Sequence, residues 1–103
     1  MTKHEKQLDS FIKNLLSENF YDAHEDLEVL WYERRFEESD EVKLLKGFIN
    51  ASVSFELRKK GKTEQANKVW SNYLKYKDLV SKIDSTHVEK YHLIIKEIDK
   101  IYK

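Results

Sequence analysis

Phe20-Tyr21-Asp22-Ala23-His24-Glu25-Asp26-Leu27-Glu28-Val29-Leu30-Trp31 is the stretch around which the chain is organised. At about 100° per residue, Phe20, Ala23, Leu27, Leu30 and Trp31 fall on one sector of a helix. His24 and Glu28 lie beside Trp31 at the edge of that sector, and Arg35 continues the line one turn further on. Residues four apart are neighbours on a helix surface, so the His24 imidazole and the Glu28 carboxylate can touch. Asp22, followed three residues later by Glu25, has the form of a capping box and predicts a helix starting at Asp22. His24 then falls in the first turn, where unsatisfied backbone N–H groups disfavour added positive charge, while Glu28 favours the imidazolium.

Helical periodicity continues on both sides. Leu8, Phe11, Ile12, Leu15 and Leu16 predict an amphipathic helix over about Thr2 to Ser17. After the polar break Ser17-Glu18-Asn19, the organising helix runs to roughly Phe36. Ser39 or Asp40 can cap a third helix over about Glu41 to Lys60. Its apolar residues, from Val42 to Phe55, cover more than half of the circumference, which predicts a central position. Glu56 projects into that wide apolar arc, where a carboxylate must be paired, protonated or rescued by the helix end. Arg58-Lys59-Lys60-Gly61-Lys62-Thr63 reads as a stop and restart, with Gly61 ending one helix and Thr63 capping the next. The fourth helix places Ala66, Val69, Trp70, Tyr73, Lys77 and Val80 on one face. A loop is expected over Ser81 to Ser85, with Ile83 packed. The last helix, about Thr86 to Tyr102, buries Val88, Tyr91, Ile94, Ile95, Ile98 and Ile101. With links this short, the expected fold is all-α: a single compact domain, residues 1–103, of about five antiparallel helices.

The totals agree. A chain of 103 residues suffices for one hydrophobic core, and zero prolines with two glycines favour helix nearly throughout. Nineteen basic residues balance nineteen acidic ones, which argues against a general nucleic-acid binder. The absence of cysteine excludes disulfides, thiol nucleophiles and zinc–thiolate sites. No apolar run approaches the ~20 residues that span a bilayer. The first residues lack the apolar core of a signal peptide, and a cytoplasmic location is expected.

On the run Asn19 to Trp31, the chain resembles the bacterial and archaeal family called domain of unknown function 309, whose signature is aromatic-acidic-Ala-His-Glu, Leu-Glu, Trp. The resemblance continues through Leu45-Lys46-Gly47-Phe48-Ile49-Asn50-Ala51 and the Gly61 turn, covering residues of about 10 to 75. Lys46 and Asn50 stand where family members commonly carry glutamine, so a site needing those amides would be altered here. The resemblance implies a compact all-α bundle and brings no established activity.

Two functional readings follow from the residues. In the first, His24, Glu28 and Glu56 form a polar network beside Trp31 that locks the second and third helices in register, in a structural or interaction module that associates with itself. In the second, the same three residues line a pocket of a small metal-binding or hydrolase-like protein, as ligands or as an acid/base pair. The helix-borne His-Glu-x-x-Glu spacing lacks the second histidine of the zinc-protease motif, so no metal or other cofactor is expected. Glu89 and His92 have the Glu-x-x-His form of di-iron bundles, but their phase turns them to water. The basic turn at Arg58, Lys59, Lys60 and Lys62 complements a helix end before it suits phosphates. Val29, Tyr32, Leu57 and Leu93 sit off the main apolar arcs; gathered into one patch, they would mark a homodimer or partner surface.

Overall fold

A computed structural model describes residues 2–102. It contains α1 (Lys3–Leu16), α2 (Phe20–Arg34), α3 (Asp40–Lys59), α4 (Thr63–Lys77), a 3₁₀ segment (Asp78–Lys82) and α5 (Val88–Tyr102), with no strand among the described residues. Consecutive helices from α1 to α4 pack against one another, and α5 closes the bundle over α1 and α3. The chain is therefore an all-α bundle of five helices, as its periodicity predicts.

α3 is the central rod because it is apolar on more than one side. Leu44, Leu45, Phe48 and Ala51 are fully buried and join Leu8, Phe11 and Leu15 of α1, Leu27 of α2, Tyr73 of α4, and Tyr91, Ile94 and Ile98 of α5 in one core. Two serines are also buried in α3. Ser52 Oγ donates to the Phe48 carbonyl at 3.3 Å, and Ser54 Oγ reaches across to the Ala66 carbonyl of α4 at 2.8 Å, so neither hydroxyl is stranded. Gly47 sits where α3 packs tightly against α4: a Cβ there would lie 3.1 Å from Tyr76 Cβ.

The helix ends correct the expected boundaries in two places. α2 starts at Phe20, with Asn19 in the cap position and no side-chain cap bond, so Asp22 and Glu25 form no capping box. His24 consequently lies in the second turn. α4 likewise starts at Thr63 itself, with Lys62 ahead of it and no side-chain cap. The burial of Phe20 and Ala23 supplies the reason: packing sets where α2 begins and overrides the local cap preference. Ser39 caps α3 as expected, by accepting from Val42 N, and Thr2, expected as the first residue of α1, caps it by accepting from Glu5 N.

α1 and α3 end in the same device. Asn19 N donates to the Asn14 carbonyl and Glu18 N to the Leu15 carbonyl; Lys62 N and Gly61 N repeat the pair at Leu57 and Arg58. The residue after each cap must be left-handed. Gly61 does this at φ 76°, whereas Glu18 is forced to φ 59° with a Cβ attached. Replacing Glu18→Gly is expected to raise stability by about 1 kcal/mol in urea unfolding; an unchanged or lower midpoint would show that Glu18 makes a compensating contact.

Candidate functional site

Burying Phe20, Ala23, Leu27 and Leu30 turns the opposite side of α2 to solvent. His24 stands at the boundary. Its Nδ1 lies 3.2 Å from the Tyr21 carbonyl, so that nitrogen carries the proton, and its ring meets the Tyr21 ring edge-on at 5.4 Å. Nε2 faces Glu28 Oε2 at 3.6 Å, beyond hydrogen-bond distance, with both side chains part-exposed. Glu56 turns along its own helix to Lys60, again at 3.6 Å.

The four residues expected at one pocket divide three ways. His24 and Glu56 line a groove of about 300 Å³ between α2 and α3, with Phe20, Tyr21, Val53, Leu57 and Lys60. Glu28 lines a neighbouring depression of about 320 Å³ with Glu25, Val29, Tyr32 and Glu33. Trp31 lies apart, packed against the core with Lys46 Nζ 4.2 Å from its ring centre. The expected lock between the helices does not form among His24, Glu28 and Glu56, because each bonds or pairs within its own helix. Nor is any trio of His, Cys, Asp or Glu among the described residues placed to hold a metal ion, so the ligand set His24, Glu28 and Glu56 is not assembled. The groove itself has mainly apolar walls and a polar rim, a shape suited to receiving an apolar side chain.

Beyond the groove, α2 carries an outward stripe of apolar groups. Tyr21, Val29 and Tyr32 are exposed, and Phe36, just past the helix end, is 86% exposed. Arg35 ties the end of this stripe together, its guanidinium 3.7 Å from the Tyr32 ring centre and 4.5 Å from that of Phe36. Leu57 instead falls in the groove, and Leu93 is exposed on α5. The basic turn is occupied internally: Arg58 lies over Tyr102, Lys59 donates to the Glu18 carbonyl, and Lys60 pairs with Glu56. Glu89 and His92 face solvent, as their phase predicts.

The most extensive polar cluster lies elsewhere, at Glu41 in the first turn of α3. One carboxylate oxygen accepts from Tyr91 Oη at 2.5 Å and Ser85 Oγ at 2.9 Å; the other accepts from Arg34 Nη1 at 3.2 Å. Arg34 also grips Glu37 through two bonds of 3.0 Å. Tyr91 Oη sits 2.9 Å from His4 Nε2. Since the Tyr91 proton goes to Glu41, His4 donates. The His4 ring stacks on His87 at 4.1 Å and 9°. Burial pushes the Glu41 carboxyl up, but the bonds from Tyr91, Ser85 and Arg34 outweigh it and hold the group below the usual carboxylate range. Burial, then the neighbouring His87, holds His4 below the ordinary imidazole value of 6.5. The Tyr91 phenol is pushed up by burial and by Glu41. Periodicity could not reveal this cluster, because its members are 7, 44 and 50 residues from Glu41.

A family model described as Domain of unknown function (DUF309) matches residues 8–69, which include the whole of α2 and α3 and the groove between them. No curated protein and no solved structure matches the chain. No helix among the described residues is long and apolar enough to cross a membrane.

Two measurements separate the polar groups by role. His4 and Glu41 both hold fewer protons folded than unfolded, so stability rises with pH through each window. The melting temperature should fall as pH drops below the ordinary 6.5 of His4, and again below the ordinary 4.5 of Glu41. His4→Gln, which keeps a donor toward Tyr91, should abolish the first fall and preserve the second; coincident curves would remove His4 from this role. His24→Ala, by contrast, deletes a part-exposed pair and should cost less than about 1 kcal/mol in chemical denaturation.

Proposed function

The chain belongs to the DUF309 family; from that premise, which carries a fold and no reaction, we propose that it is a non-enzymatic interaction module that associates with a second copy of itself through the outward face of α2. The observation that carries this reading is the set of large apolar side chains Tyr21, Val29, Tyr32 and Phe36, all exposed on or just beyond one helix, with Glu25 and Glu28 between Tyr21 and Val29. Aromatic side chains left in water on one face are what protein contacts bury first, since they bring large area at small entropic cost. A fixed helix face is also a better docking platform than a loop, because little ordering remains to be done on binding.

The clamp on Arg34 supports the same reading. By fixing the end of α2 to Glu37 and Glu41, it holds Arg35 and Phe36 in place beyond the helix end. His24, Glu28 and Glu56 then act at the margin of the contact, as polar groups that set which apolar surface fits.

α2 carries five carboxylates against one arginine, so two copies meeting through it repel at long range. Salt screens that repulsion. Sedimentation equilibrium should therefore give a mass approaching twice 12.4 kDa at high protein concentration, with association tightening as salt is added. Val29→Lys together with Tyr32→Glu should return the monomer while leaving the melting curve nearly unchanged. A chain that is monomeric at every concentration and salt, or a double variant that still pairs, would defeat the proposal.

A further inference from the structure

We propose that His4 and His87 form a proton-operated latch: a proton taken up on His4 drives the start of α1 away from α5, and α5 parts from the bundle while the packing of α2, α3 and α4 stays intact. The two imidazoles lie face to face at 4.1 Å and 9°, one in the first turn of α1 and the other in the residue just before α5. Both are part-buried. His4 also meets the Tyr91 ring edge-on and bonds its hydroxyl, so one small set of rings joins the two helices. Nε2 of His4 is used toward Tyr91, which leaves Nδ1 as the nitrogen that takes the extra proton. That proton breaks no hydrogen bond by itself; it places a charge inside the stack.

The surroundings disfavour that charge. The groups facing His4 are Glu5 from its own helix, Arg34 from α2, Glu41 from α3, and His87 and Tyr91 at α5. Burial opposes the imidazolium first, His87 second, and Arg34 adds to both. Glu41 and Glu5 favour it, but Glu41 is already engaged by Tyr91, Ser85 and Arg34. The balance keeps the His4 imidazole below its ordinary 6.5 while the seam is closed. Once α5 has parted, the ring stands in water and returns to that ordinary value. The open form therefore holds the proton more tightly, and opening gains as pH falls below 6.5. The other polar ties of α5, from Lys90 to Asp9 and from Tyr73 and Lys77 to Asp99, involve no histidine. α5 also packs more sparsely on its neighbours than α3 does on α4, which makes it the helix least costly to release.

Native-state hydrogen exchange at about pH 7.5 and about pH 5.5, corrected for the intrinsic exchange rate at each, reads the opening directly. This window lies above the ordinary 4.5 of Glu41, so the imidazole is the group under test. The opening constant of α5 and the start of α1 should rise roughly three- to ten-fold at the lower pH, the effect of one linked proton, while α3 and α4 stay nearly level. His4→Gln, which keeps a donor toward Tyr91, should remove most of that rise. Lys90→Met deletes an ion pair and no imidazole; it should open α5 further by the same factor at both pH values and so preserve the ratio. A rise below about two-fold in the unmodified chain, or an equal rise in α3 and α4, overturns the latch. So does a rise undiminished in His4→Gln, or one lost equally in Lys90→Met.

Discussion

A single carboxylate holds the frame together. Glu41 is drawn partly out of water, which alone would favour its neutral form, yet three donors from separate parts of the chain keep it charged. Arg34 comes from the end of α2, Ser85 from the turn before α5, and Tyr91 from within α5. Satisfying one anion thus requires α2, α3 and α5 to sit in a fixed mutual arrangement, and His4 brings in α1 through Tyr91. Hydrophobic burial can tolerate small slides of one helix along another. A three-donor site cannot, and so it sets the geometry that burial leaves loose.

The outward face of α2 depends on that frame. Its inward residues are consumed by the core, and its far end is pinned through Arg34. The next two residues cannot turn inward, since Arg35 is held by the Tyr32 carbonyl and sandwiched between two exposed rings. Rigid support behind and aromatic groups in front are the two requirements of a contact surface. Both here trace to adjacent arginines that do different jobs, Arg34 facing the frame and Arg35 facing outward.

Most of the fold is legible in the residues because helices are local objects. The 3.6-residue spacing of Leu8, Phe11 and Leu15, the cap at Ser39, and the stop at Gly61 all report interactions spanning a few residues. The site is less legible for the converse reason. His24 and Glu28 do lie side by side, as four-residue spacing requires, but whether Glu56 meets them depends on how far α3 is rotated against α2. Glu56 shares the groove with His24 and still turns to Lys60. The cluster at Glu41 was wholly hidden, since periodicity places Tyr91 on the buried side of the last helix and says nothing of what its hydroxyl, His4 or Ser85 would meet. Burial reverses that reading: a fully buried tyrosine must give its hydroxyl a partner, and the partner then becomes part of the core.

The bond between His4 and Tyr91 joins residues 87 positions apart, one in α1 and one in α5. The packing from α1 through α4 links sequence neighbours and can assemble progressively, one hairpin on the next, with little loop-closure cost. α5 is different: it docks against the first and third helices, so its place exists only after they have met. Amide hydrogens of α5 should consequently exchange together with those of the first turn of α1, as one cooperative unit that opens before the α2–α3–α4 interior does. α1 and α5 are in that sense clasped together, and loosening either releases the other.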